Sequence, residues 1–147
     1  MYEISYIGKV QAQQRPRSRA VTSGGRTYAQ VYDAAESRDF KGMVHCLAQL
    51  ELERKKGKPL DVAVRTNLTV YCRIPDSFSK RQRELIFLGQ SYPTRKPDVD
   101  NVLKSVLDAV RGVFLTDDKL VVDERTRKEW SDHDGFHFSI EPMGPEF

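Results

Sequence analysis

Lys96-Pro97-Asp98-Val99-Asp100-Asn101-Val102-Leu103-Lys104-Ser105-Val106-Leu107-Asp108 is the stretch on which the reading of this 147-residue chain turns. Pro97 biases Lys96 to an extended conformation. Asp98 then stands as the natural N-cap of a helix over residues 98–111. Val99, Val102, Leu103, Val106, Leu107 and Val110 recur at helical steps and form a complete apolar stripe on one side of it. The other side carries Asp100, Asn101, Lys104, Asp108 and Arg111. One carboxylate at a helix start is ordinary, because it caps and meets the positive dipole end. Two, with an Asn beside them, exceed what capping needs, and hard divalent cations require several oxygens at close range.

A second acidic pair, Asp117-Asp118, follows. The helix from Asp98 to Arg111 rises roughly 20 Å, and residues 112–118 can extend back by roughly 20 Å. With a reversal at Gly112, this permits Asp118 to meet Asp98 and Asp100 without requiring it. As residues alone, Asp98 reads equally as a plain cap, and Asp117-Asp118 as a turn before a strand. Lys104 reads as a salt-bridge partner of Asp100 one turn away.

Working outward, residues 77–88 form a short basic helix and 89–97 a loop. Residues 119–130 and 135–141 read as strands joined by the turn Asp132-His133-Asp134-Gly135. Upstream, residues 60–74 alternate, with Leu60, Val62, Val64, Leu68, Val70, Cys72 and Ile74 on one parity, as a half-buried strand does. From about Tyr28 to Lys56 the pattern is helical, with Phe40, Met43, Val44, Leu47 and Leu50 on one face. Gly57 suits the left-handed stop and Pro59 blocks continuation. Residues 2–10 read as an opening strand and the Arg-, Ser- and Gly-rich residues 11–27 as a flexible basic loop. Residues 142–147 read as a loose tail. The order predicts one α+β domain over 1–147, a mixed sheet with helices packed on one face.

Composition agrees with one core: 39% of residues are hydrophobic and 31% charged. No apolar run is long enough to span a membrane and the N-terminus does not read as a signal peptide, so a cytoplasmic location is expected. Cys46 and Cys72 lack zinc-finger spacing and read as reduced core thiols. His133 and His137 sit on a turn and a strand rather than at a helical metal-pair spacing. Trp130 and Tyr92 read as packing residues. The net charge of +3 is unevenly placed. Residues 1–74 hold 13 Lys and Arg against 7 Asp and Glu, net +6, and residues 75–147 hold 11 against 14, net −3. A basic half suggests a polyanionic partner and an acidic half, if its carboxylates converge, a bound cation.

The segment 96–104, then Leu107-Asp108-Ala109-Val110, then Asp117-Asp118-Lys119-Leu120-Val121, resembles the core of the RusA-like crossover-junction endodeoxyribonucleases. The family pattern is roughly K-P-D-x-D-N-x-x-K-x-x-x-D-A, followed by D-D-x-x-V. Gln14-Arg15-Pro16-Arg17 with Gly25-Arg26-Thr27-Tyr28 resembles the first loop of phage-type members, so the likeness runs over most of residues 2–141. Many relatives carry P-P-S-x-N in that loop, and this sequence does not.

The resemblance implies a Mg²⁺-dependent homodimer, with Mn²⁺ as the other metal to consider, that cleaves four-way DNA junctions. Asp98, Asp100 and Asp118 match its metal-binding aspartates and Lys104 its catalytic lysine. Asn101, Asp108 and Asp117 match recurrent supporting positions. Phosphate contacts are expected from Arg15, Arg17, Arg19 and Arg26, and from Lys80, Arg81, Arg83, Arg95 and Lys96 nearer the site. The rivals are a metal nuclease acting on flaps or forks and a catalytically silent junction-binding protein.

Overall fold

The computed structural model describes residues 1–13, 17–32 and 35–145. Among the described residues six strands and three α-helices follow one another as β1 (Tyr2–Ile7), β2 (Arg17–Ser23), β3 (Arg26–Tyr32), α1 (Ala35–Lys55), β4 (Val64–Arg73), α2 (Lys80–Phe87), α3 (Val99–Val110), β5 (Val121–Ser131) and β6 (Gly135–Pro142). The main sheet has the order β1-β6-β4-β5, with β4 and β5 parallel and the other pairs antiparallel. This is the expected α+β domain with a mixed sheet.

One face of the sheet is buried by alternation and is apolar except at Thr66. Tyr2 and Ile4, Phe136, Phe138 and Ile140, and Val64, Leu68, Val70 and Cys72 all point inward and are buried. α1 and α3 cover this face and pack on each other, with Phe40, Val44, Val102, Val106 and Val110 closing the core. Phe114, fully buried in the return from α3, stacks on Tyr2 with ring centroids 4.9 Å apart. The short α2 stays outside the core. It begins with a capping box in which Ser79 Oγ accepts from the Gln82 N–H and the Gln82 side chain accepts from the Ser79 N–H, and it buries none of its residues.

Five local expectations change. Residues 17–32 form an antiparallel hairpin where a flexible loop over 11–27 and a helix start near Tyr28 were expected. Gly24 and Gly25, at φ 59° and 76°, make the two-residue turn with both φ positive that suits strand twist. α1 therefore begins at Ala35. It buries Ser37, Phe40, Val44, Ala48 and Glu51, so Leu50 turns outward at 64% exposure. Its left-handed stop falls on Lys56 (φ 50°), not on Gly57. β4 is shorter than the run 60–74, and Leu60 instead bridges separately to Leu115. β6 runs through Pro142 and the Met143 N–H donates to Ala63 O, so residues 142 and 143 belong to the sheet edge and not to the loose tail expected over 142–147. Glu146 and Phe147 lie outside the described residues.

Gly57 is needed for a different reason. The Tyr2 hydroxyl donates to Lys58 O at 2.7 Å and accepts from the Lys58 N–H at 3.0 Å, which presses the Tyr2 ring against Gly57 where a Cβ would sit. Gly42, inside α1, has open space at the same position. Gly57→Ala is expected to destabilise the fold by about 1–3 kcal/mol, and Gly42→Ala to stabilise it by up to about 1 kcal/mol. Urea denaturation of both variants checks the pair, and equal effects would contradict the packing described.

Candidate active site

The apolar stripe of α3 is buried as its spacing dictates, so Asp100, Lys104, Asp108 and Arg111 stand exposed along the opposite side. At the N-terminal end of the helix a cleft of about 630 Å³ opens between the segment after β1 and the loop before α3. Lys9, Gln13, Arg95, Lys96, Asp98 and Asn101 are among its lining residues. The Gln13 N–H donates to Asn101 O at 3.0 Å and ties that segment to the helix. Asp98 holds the N-cap position with extended φ/ψ, yet its side chain makes no capping hydrogen bond. Its carboxylate is exposed at the cleft and is not used as a cap.

Asp118 lies at the other end. The return from α3 closes at once: Gly112, at φ 82°, donates its N–H to Leu115 O at 2.7 Å, and Arg111 and Leu115 form a bridge. The segment 112–118 thus does not extend back along the helix, and Asp118 stays by its C-terminal end. Arg111 Nη1 is 3.7 Å from Asp118 Oδ2. Asp118 Oδ1 is buried and has no hydrogen-bond partner among the described residues. Burial raises the Asp118 carboxyl above the usual range; Arg111 pulls it down, and the charges of Asp108 and Asp117 push it up again. Asp117 is occupied as a cap, accepting from the Lys119 N–H at 3.0 Å. Asp108 is paired with Lys41 of α1 at 3.1 Å.

Among the described residues no three His, Cys, Asp or Glu side chains are grouped to hold a metal ion. Asp98 and Asp100 lie at one end of α3 and Asp118 at the other, with Asp98 and Asp108 separated by about 15 Å of helix. Each end supplies hard oxygen donors of the kind a divalent cation takes, including the unpartnered Asp118 Oδ1. One chain does not bring the three aspartates together.

Residues 8–141 match the family Endodeoxyribonuclease RusA. The chain belongs to the RusA family. It is also 33% identical over 132 residues to an uncharacterized Bacillus subtilis (strain 168) protein, YqaN, an alignment that covers 88% of each chain. RusA membership makes the protein an endodeoxyribonuclease, a hydrolase of the Holliday-junction-resolving kind that acts on branched DNA. No helix among the described residues is long and apolar enough to cross a membrane.

Measured against the RusA motif, the lysine matched to catalysis stands clear. Lys104 is exposed and makes no ion pair or hydrogen bond among the described residues, so the salt bridge to Asp100 that spacing allows is not formed. The other cations divide. Lys96 lines the cleft, and Lys9, which no sequence pattern marks, joins it from the end of β1. Arg95 lines the cleft while its guanidinium packs 5.3 Å from the Trp130 ring centroid and donates to Arg73 O at 2.6 Å. Phe78 meets the same ring edge-on, so Trp130 serves as a packing post that orients Arg95. Arg83 is taken up by carbonyls, donating to Pro75 O at 3.1 Å and Phe78 O at 3.3 Å. Arg81 reaches Glu84 at 3.9 Å, and Lys80 is exposed on α2. Arg19 and Arg26 lie on the β2–β3 hairpin, while Arg15 and the side chain of Arg17 fall outside the described residues. His137 pairs with Glu3 at 3.3 Å, away from both ends of α3.

Asp118→Asn keeps the side-chain shape and removes a crowded charge whose inner oxygen the fold does not pair. Its stability in urea, measured in chelator at neutral pH, is expected to equal or exceed that of the unmodified protein. A loss beyond about 1 kcal/mol would show that this charge holds structure.

Proposed function

We propose that the protein resolves four-way DNA junctions as a two-fold dimer using Mg²⁺, with Mn²⁺ as a substitute. In this reading Asp98 and Asp100 of one protomer and Asp118 of its partner hold the cation together. The observation that carries it is the Asp118 Oδ1 atom, buried without a partner at the C-terminal end of α3 while an unused Asp98 carboxylate waits at the N-terminal end. Two copies of α3 running antiparallel about a two-fold axis set the N-terminal end of each beside the C-terminal end of the other. When bound, a divalent cation supplies Lewis-acid polarisation of a phosphate and activation of water.

This chain's own residues supply the rest. Lys104, exposed one turn beyond Asp100, neutralises charge developing on the phosphate oxygens. Lys41 holds Asp108, and Arg111 holds the outer oxygen of Asp118, so the acidic end keeps its shape without using the inner oxygen. Lys9, Arg95 and Lys96 line the cleft beside Asp98 and meet the DNA backbone there, with Lys80 and Arg81 on α2 as further phosphate contacts. Asn101 lines the same cleft and helps fix the rim through Gln13. Such contacts place the strand and carry no sequence information directly, so junction choice rests on shape. A nuclease of this kind works where the DNA is, in the cytoplasm.

The test is cleavage of a synthetic mobile four-way junction, with flap and plain-duplex controls, in Mg²⁺ and in chelator. Paired, metal-dependent nicks on the junction are expected, and Asp98→Asn, Asp100→Asn or Asp118→Asn should each lower the rate by about 100-fold or more while leaving binding intact. Wild-type cutting by any of the three would remove that residue from the site, and preferential cutting of flaps would discard the junction as substrate. Mg²⁺ should also raise the melting temperature of the unmodified protein and not that of Asp100→Asn.

A further inference from the structure

The β2–β3 hairpin separates its side chains by face. Cross-strand partners share a face, so Arg19 and Gln30, Val21 and Tyr28, and Ser23 and Arg26 lie on one side. Arg19 Nε donates to Gln30 Oε1 at 2.9 Å across the strands. The other side carries Ala20, Ala29 and the pair Thr22 and Thr27, whose hydroxyls are 3.2 Å apart. Among the described residues the two strands pair with each other and make no extended contact with any other element. Residues 17–32 contain three arginines and not one acid. Residues Lys9–Gln13, which line the cleft, stand only three residues before β2 in the sequence.

We infer that this ribbon lies in the major groove of the duplex arm that leaves the cleft, with its Arg19–Arg26 face toward the base edges. The inference rests on the reading of the protein as a junction nuclease and deepens it by naming a groove contact. Seven residues per strand reach about 20–24 Å, and the major groove, about 12 Å wide, admits a two-stranded ribbon. A run of cations without acids repels a second copy of itself and matches a polyanion. Arg26 is exposed beside the Gly24-Gly25 turn, at the ribbon's outer end. Gln30 orients Arg19, and Arg paired to guanine O6 and N7 is the commonest specific contact in that groove.

The test uses the full chain, the synthetic junction and chelator, so that binding is read without cleavage. Dimethyl sulfate, which methylates guanine N7 in the major groove, is expected to show protected guanines on one arm. Arg19→Ala with Arg26→Ala should lose that protection, weaken binding about tenfold or more near 100 mM salt, and lower the salt slope by about one per arginine. Arg26→Lys should keep the slope and lose the N7 protection at its position, because Lys cannot make the bidentate contact. An unchanged N7 pattern in the double variant, with the junction still bound, overturns the ribbon assignment alone. So does a double variant that instead loses self-association in sedimentation, which would make the ribbon a contact between copies. Failure of the unmodified protein to bind any DNA would remove the nuclease reading and this one with it.

Discussion

Burial of one side of α3 sets everything else in this molecule. Val102, Leu103, Val106, Ala109 and Val110 are buried beneath the sheet and against α1, and none of them tolerates rotation of the helix without exposing apolar surface. The rotation being fixed, Asp100, Lys104, Asp108 and Arg111 have to face outward in a row. The sheet then decides what surrounds that row. β4 and β5 lie parallel, so the chain must cross over between them, and α3 with its two acidic ends belongs to that crossover.

The Gly112 turn decides where the second acidic element falls. An extended return would have carried Asp118 back toward Asp98. The Gly112–Leu115 hydrogen bond instead closes the chain within four residues, and Phe114 is driven into the core against Tyr2. Asp118 is left at the C-terminal end of the helix with a buried oxygen that none of the described residues satisfies. Buried polar atoms without partners are uncommon in folded proteins and call for an explanation. A ligand shared between two copies explains this one, and also the capping position at which Asp98 fails to cap.

Much of this was legible in the sequence where periodicity was strong. The α3 stripe, the alternation through β4 and β6 and the turn before Gly135 rest on patterns of one period each, and they hold. The hairpin was not read because Gly24-Gly25 sits among Arg and Ser, and that composition resembles a solvated loop unless the alternation on either side is weighed with it. The face of α1 was misplaced at Leu50 because Glu51 is the buried residue there. It is matched by Arg54 at 3.0 Å and Lys55 at 3.5 Å, a compensation no hydropathy pattern reveals. The motif marks the site residues but carries no distances between them. The motif records which aspartates occur in order, while the Gly112 turn records that they end apart.

The most direct test of the account mixes two inactive proteins. Asp100→Asn and Asp118→Asn are each expected to be dead on a four-way junction. If the site is built from Asp98 and Asp100 of one protomer and Asp118 of the other, the mixed dimer contains one site with both substitutions and one with neither. Equilibrating the two variants should then restore single-strand nicking of the junction, with little paired cleavage. If the mixture stays as inactive as its components although subunits are shown to exchange, the three aspartates do not meet across a dimer and the account fails.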